Sequence, residues 1–546
     1  MDADRLGTFL LILMVAMTVS MAVIPLMMKY AHVLGMIDKP DPRKVHATPI
    51  PRVGGVGIVV GALLAMWVWL PASDLLHAFL LGCAVLFVFG VWDDIKELGH
   101  YVKFIGQFAA AIAVVYYGDL YVWHFPYIES GELPAWFGKP FTVIAIVGVI
   151  NALNHSDGLD GLAGGEALLS LGALAYFLYL FGGTEALVIA CATLGGIFGF
   201  LRFNSHPARV FMGDGGSQFI GFVIAVLVVM LTQQVNPVLS PALPLLLIGL
   251  PVVDILAVFF LRWKGGMNLF RATSNHIHHR LLKLGFRHHE SVVIIYSVQA
   301  LMVLLAVAMP YENDYAITFA YLAISASVFI GITALERKQL ALRAVGAEVL
   351  ESWSQRLSFV GDTRKVYDAS LYVMEACLGV LLFAAALLTE SVPWDIGMSS
   401  LLMLLVLALL LKWENLLVYR LLTFVALAFS VYLLANYAPQ WVQRDQHLVY
   451  LFFALLAAAT FLVARKLSGD RFSATPLDYL VLGLALILAF SVEMDGGNGI
   501  LVWMALQMVL LFYAAELSIQ RAARVRSKLS GMVAAALLIA ALRGVL

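Results

Sequence analysis

Charge is scarce in this chain of 546 residues: Asp, Glu, Lys and Arg make up 13% of it and hydrophobic residues 62%. Soluble domains carry roughly a quarter charged residues, so a water-soluble globular fold is excluded and a polytopic membrane protein is expected. Net charge is −1 and no basic block occurs, which argues against nucleic-acid partners. Cysteine is nearly absent too. Cys83, Cys191 and Cys377 each fall inside an apolar run without metal-type spacing; they read as small buried hydrophobes, not as a disulfide framework. Asp2 and Asp4 precede the first apolar run and no small-residue cleavage site is evident, so that run is expected to stay as the first span.

Long apolar runs, by contrast, are plentiful. Runs able to cross a bilayer, at about 20 residues each or shorter with helpful flanks, lie near 7–27, 53–70, 75–92, 104–117, 140–150, 166–181, 185–201, 218–231, 242–262, 291–309 and 315–334. A polar stretch, Glu336–Ser370, follows as an expected cytoplasmic connector. Seven more runs come after it, near 371–390, 397–411, 417–435, 448–464, 477–491, 500–517 and 529–543. The expectation is an all-α, polytopic helical membrane protein with about 11 spans in a core (1–335) and about 7 in a C-terminal membrane domain (371–546). With the amino terminus outside, about 29 of the 34 Lys and Arg fall on one side, the side expected to face the cytoplasm.

Against that apolar background the polar loops carry information. Asn151–Gly165, NALNHSDGLDGLAGG, sets two Asn, a His and two Asp between two spans. A carboxylate costs several kcal/mol in hydrocarbon, so such a loop marks a water-facing functional site. Asn154, Asp157 and Asp160 recur at i, i+3, i+6 and would roughly share one helical face. Oxygen donors of this kind suit Mg²⁺ together with a bound phosphate.

Four other loops reach the same side. Asp38–Gly55 brings Arg43, Lys44, His46 and Arg52 to a glycine pair. Trp92–Gln107 has Asp93 and Asp94 ending one span, with Lys103 and Gln107 at the start of the next. In Arg202–Ser217, Asp214 sits in a Gly-rich turn before a helix, where backbone N–H groups can receive phosphate. Arg271–Glu290 holds His276, His278, His279 and Arg280. No Cys or His-x₃-His spacing accompanies this HxHH cluster, which argues against zinc there; His288 and His289 read as interfacial residues. Singly, each loop has an ordinary reading as solvated flank or topology signal. Jointly, acids, cations and Gly-rich turns on one face are what transfer between a nucleotide diphosphate and a membrane lipid needs.

DKPDPRKVHATPIPRVGG, DDIKEL, NALNHSDGLDGLAGG, FNSHPARVFMGDGGS and HIHHRLL resemble, in order and spacing, the signature loops of the polyprenyl-phosphate N-acetylhexosamine-1-phosphate transferases. The resemblance covers residues 1–335. It implies a UDP-N-acetylhexosamine donor, a polyprenyl (undecaprenyl) phosphate acceptor, Mg²⁺ with Mn²⁺ as the alternative ion, and release of UMP. It further implies a bacterial cytoplasmic membrane location, membrane lipid as a partner, and a homodimer as an open alternative. Carried over by position, Asp214 would be a metal ligand with Asn154 as the second. Asp93 and Asp94 would organise the lipid phosphate and metal, with Asp157 beside them, and the catalytic set would also include His278 and His279. Lys44 and Lys103 would meet substrate phosphates. Asp160 and Asn204 would approach the uracil and Phe211 stack on it. His276, His278, His279 and Arg280 would hold the diphosphate or sugar.

The chain departs from the pattern in three places. His155 and Ser156 stand where an apolar residue and Thr are common; Thr273 and Ser274 replace an Asp-Arg pair; the C-terminal 200 or so residues have no counterpart. The muramyl-pentapeptide branch has a contiguous His triplet where this chain reads HIHHR, which favours GlcNAc and leaves other amino sugars open. A secondary transporter is the alternative from another class. Transporter sites lie near the bilayer midplane, whereas these polar residues gather at one boundary.

Overall fold

The computed structural model describes residues 3–38, 48–128, 132–267, 275–337, 364–413, 416–441, 446–467, 499–522 and 527–545. They form two compact units, one over 3–337 and one over 364–545. In the first unit the helices are α1 (Ala3–Leu34), α2 (Gly54–Trp69), α3 (Asp74–Lys96), α4 (His100–Ile112), α5 (Ala135–Ser156), α6 (Leu162–Leu180), α7 (Thr184–Asn204), α8 (Gly213–Met230), α9 (Pro244–Lys264), α10 (Ile277–Lys283), α11 (His288–Ala308) and α12 (Asp314–Arg337). The π-turns Ala113–Tyr117 and Leu231–Val235 prolong α4 and α8. Every one of the eleven expected core spans coincides with one of these helices; α10 is the extra, short one.

One exception to the all-helical reading occurs among the described residues. Ile37–Asp38 (β1) pairs antiparallel with Ile50–Pro51 (β2), closing the neck of the first loop. Arg52 fastens that neck through an ion pair with Asp38. The chain then docks on the loop before α8: Pro51 accepts from the Phe211 N–H at 2.8 Å, and the Gly54 and Gly55 N–H groups donate to Phe211 and Met212 at 2.9 and 2.7 Å.

The centre of this unit is α8, whose whole span is enclosed by other helices. It packs on α2, α3, α5, α6 and α7. Because an apolar helix surrounded by apolar helices gains little from lipid exclusion, such contacts rest on close fit and polar ties. Helix α9 breaks at Gly249, just before Pro251. The backbone groups freed there are satisfied from α11: Gln299 Oε1 accepts from the Leu250 N–H at 3.0 Å, and its Nε2 donates to the Leu247 carbonyl at 3.2 Å.

The second unit contains α13 (Arg364–Leu388), α14 (Trp394–Trp413), α15 (Leu416–Tyr437), α16 (Gln446–Leu467), α17 (Gly499–Ala522) and α18 (Lys528–Val545). The expected span near 477–491 and most of the expected connector lie outside the described residues; Glu336–Arg337 end α12 and Arg364–Ser370 begin α13. Eleven helices among the described residues, nine of them in the first unit, are long and apolar enough to cross a membrane.

Candidate active site

The site begins where α3 stops. Glu97 turns into the left-handed region at φ 49°, and the Leu98 N–H donates to Asp93 Oδ1 at 2.6 Å. Asp93 thereby terminates its own helix, and its Oδ2 is left facing Lys103 Nζ at 2.8 Å. Asp94 points the other way. Its carboxylate accepts the N–H groups of Asp214 at 2.9 Å and Gly215 at 3.2 Å, capping α8 from a different helix. Gly213 makes this possible twice over: its φ is +72°, and a Cβ there would lie 2.6 Å from the Asp94 carboxylate. The helix start expected to receive phosphate is therefore already filled by Asp94.

With α8 capped in this way, Asp214 Oδ2 meets Lys103 Nζ at 2.6 Å, Gln218 Nε2 at 3.3 Å and Asn154 Nδ2 at 3.4 Å. Asn154 Oδ1 accepts from Ser217 at 3.2 Å. Lys103 so places its ammonium between the Asp93 and Asp214 carboxylates. Asn154, Asp157 and Asp160 do not share a helical face as expected. Helix α5 ends at Ser156, and the turn that follows sends Asn154 toward Asp214 and Asp160 toward the α7–α8 loop.

The Asp157 side chain, half-buried at that turn, makes no hydrogen bond or ion pair with the described residues. Burial, then the charges of Asp214 and Asp160, push its carboxyl up to about 7. Crowded acids with one unpartnered member are the donor set a divalent cation relieves, and all are hard oxygen ligands of the kind Mg²⁺ takes. Asp214, with Asn154 against it and Asp93 and Asp157 near enough to act on its charge, offers such donors, and Lys103 balances the charge otherwise.

Asp160 accepts from His206 Nδ1 at 2.7 Å and from the Ala208 N–H at 3.0 Å. Burial alone would raise its carboxyl; these hydrogen bonds and the nearby histidines hold it below the usual carboxylate range. Asn204 is placed otherwise than expected for a uracil contact. It is buried, its Oδ1 accepts the Gly161 N–H and its Nδ2 donates to the Val210 carbonyl, both at 2.8 Å. Asn204 ties two loops together. Phe211 is half-buried beside the docked first loop, and Lys44 lies outside the described residues.

The histidine segment depends on a residue that sequence reasoning missed. Asp254, buried in α9, accepts from His276 Nδ1 at 2.7 Å and from the Ile277 N–H at 2.8 Å. It caps α10 much as Asp94 caps α8. A lone acid in an apolar run is the signal that could have found it. The His278 ring lies on the Gly158 backbone, where a Cβ would approach Nε2 to 2.2 Å. Burial, then His279 and His276, hold His278 well below its ordinary range. Burial thus disfavours the positive charge that a diphosphate clamp would use. His279 is half-buried and lowered in the same way, with His276 and Lys283 adding to burial.

Arg280 overturns its expected role. Its guanidinium is bidentate on Glu336 at 2.9 and 2.7 Å and donates to Thr333 at 2.8 Å. It anchors α10 to α12 and is spent before any substrate arrives. His288 is no plain interfacial residue either: its ring stacks on His206 at 4.1 Å between centroids, and its Nε2 bonds the Asp160 carbonyl at 3.2 Å.

An apolar cavity of about 870 Å³ opens beside the acids. Its walls come from α4, α5, α8 and α9, with Lys103, Asn151, His155, Arg262 and His276 at one end and Thr232 and Gln233 at the other.

The glycosyl transferase family 4 profile matches residues 76–232. The chain is 31% identical over 299 residues to the probable undecaprenyl-phosphate N-acetylglucosaminyl 1-phosphate transferase of Bacillus subtilis, covering 54% of this chain and 83% of that protein. It is 32% identical over 295 residues to the undecaprenyl-phosphate α-N-acetylglucosaminyl 1-phosphate transferase of Escherichia coli K12, covering 52% of this chain and 79% of that one. The chain belongs to the polyprenyl-phosphate N-acetylhexosamine-1-phosphate transferase family. It is thus a multi-pass membrane enzyme that transfers a sugar 1-phosphate. The namesake of Yersinia pestis, 31% identical over 296 residues, is covered to 80% while taking 53% of this chain. All three leave nearly half of the sequence unmatched, as the absence of a family counterpart for the C-terminal residues implies.

Proposed function

We propose that this enzyme transfers GlcNAc-1-phosphate from UDP-GlcNAc to a polyprenyl phosphate, undecaprenyl phosphate in a bacterial cytoplasmic membrane, releasing UMP on the cytoplasmic side. The observation that carries the reading is the Asp93–Lys103–Asp214 cluster beside an apolar cavity of about 870 Å³ that Lys103 also lines. A lipid tail fits the cavity and its phosphate fits the cationic end. The donor sugar is read from the relatives' names and from HIHHR.

In this reading the lipid phosphate oxygen attacks the β-phosphorus and UMP departs. A phosphate monoester has a second pKa near ~6, so the acceptor is mostly dianionic at neutral pH. A strong base is then unnecessary, and the larger task is bringing two anions together in line. Lys103 serves that by offering positive charge between Asp93 and Asp214. Asp93 positions and does not abstract; Asp94 fixes Asp214 through the backbone of α8. Asp214 and Asn154, with Asp93 and Asp157 close by, would hold Mg²⁺, which when bound neutralises phosphoryl charge. Phe211 faces the nucleotide end of the donor.

The test is purified enzyme with polyprenyl phosphate and a panel of UDP-sugars, scoring UMP and lipid product together. UDP-GlcNAc giving both in equal amounts is the expected result. UMP without sugar-phosphate lipid, or undiminished turnover by Asp214→Asn, would overturn it.

A further inference from the structure

We infer that Asp160, His206 and His288 form a site for a transition-metal ion of the Zn²⁺ class, separate from the hard-oxygen donors at Asp93, Asp157 and Asp214. The three residues come from different segments: the α5–α6 turn, the α7–α8 loop and the start of α11. One ligand atom from each lies within 4.8 Å of the other two. Two imidazole nitrogens and a carboxylate oxygen, with water in the fourth position, are a donor set that zinc takes and Mg²⁺ does not favour.

A second observation concerns the state of His288. Its Nε2 bonds the Asp160 carbonyl at 3.2 Å, and a carbonyl can only accept. Nε2 therefore carries the proton and Nδ1 keeps its lone pair. That Nδ1 is buried and has no hydrogen-bond partner among the described residues. An imidazole that donates from one nitrogen to a backbone carbonyl and keeps the other bare has its tautomer fixed as that of a metal-ligating histidine.

Occupancy needs one adjustment. Zn–N bonds are about 2.0–2.1 Å and lie in the ring plane, so two rings stacked at 4.1 Å with 21° between them cannot both ligate. The His206 side chain is 44% exposed and free to turn. Its rotation exchanges the hydrogen bond to Asp160 for bonds from both residues to the ion, and a proton held between them passes to solvent. The bound ion would pin the three segments together.

The experiment uses the full chain in detergent with saturating Mg²⁺, so that the oxygen-rich site is filled. Zn²⁺ is titrated against thermal unfolding, and Co²⁺ replaces it for visible absorption. A zinc-dependent rise in Tm and tetrahedral Co²⁺ bands are expected in the parent protein. Both should vanish in His206→Ala and persist in His276→Ala and His279→Ala. His206→Asn serves as the second variant, since an exposed side chain is unlike a core one in its effect on folding. No zinc-dependent shift in the parent, signals that survive His206→Ala and His206→Asn, or signals lost only in the HIHH variants would overturn the assignment.

Discussion

The carboxylate of Asp94 caps the first turn of α8 at the N–H groups of Asp214 and Gly215, so one acid of the family motif holds another in place through the backbone. Asp94→Ala should cost about 1–2 kcal/mol, the usual range for a lost cap, and lower turnover at least tenfold because Asp214 shifts. Asp94→Asn keeps one acceptor and should lose less stability than Ala. Thermal melts and initial rates on both variants check this; a variant with full turnover and reduced Tm would confine Asp94 to a purely structural role.

Lys103 occupies the gap between Asp93 and Asp214 that a divalent cation would contest under the proposed function. Lys103→Ala should therefore lower turnover by roughly 10²-fold, as loss of a preorganised cation does, while reducing the Mg²⁺ concentration needed for half-saturation. A magnesium titration reads both. If the variant needs more Mg²⁺ than the parent, the two cations are not rivals.

Arg280 and Glu336 are held as a bidentate pair, part-exposed on the Glu336 side. Arg280→Ala should cost about 1–2 kcal/mol with the KM for the UDP-sugar unchanged. Glu336→Gln should be non-additive with it in a double-mutant cycle. A large KM effect without loss of stability would restore Arg280 to the donor site.

His278 sets a direction for acid sensitivity. An unfolded imidazole titrates near ~6.5, whereas burial holds this one well below. Below that pH the unfolded chain takes up a proton that the folded chain refuses. Its contribution is thus complete above about 6.5 and is lost as pH falls toward the folded value, by at most about 1.4 kcal/mol per pH unit. His278→Gln should flatten that stretch of a stability–pH curve; an unchanged slope would mean the ring is reached by water.

All five motif loops belong to the first unit. A chain ending near residue 345 should accordingly keep transferase activity in membranes. Stable insertion without product would make the second half part of the catalytic unit.

The spans were legible because apolar length is a strong signal, and the acids because charge beside a span is costly enough to mean something. Asp93, Asp94, Lys103, Asn154 and Asp214 converge as the loops suggested. What stayed hidden was the spending of each polar group. Nothing in the local pattern says that Asp94 faces the Asp214 N–H, that Asn204 is consumed by Gly161, or that Arg280 finds Glu336. Those pairings span 43 to 120 residues and cross between helices whose packing the motifs do not encode. Asp254 was missed for a related reason: its partners, His276 and Ile277, come within reach only where α9 runs on past its break to meet α10.

That break has a mechanical consequence. Gly249 redirects the half of α9 that follows it, and Asp254 clasps the histidine helix to that half. The same half-helix presents Val252, Ile255 and Leu256 to the apolar cavity. The apolar wall of the cavity and the histidine segment therefore share one support, the stretch of α9 beyond the break.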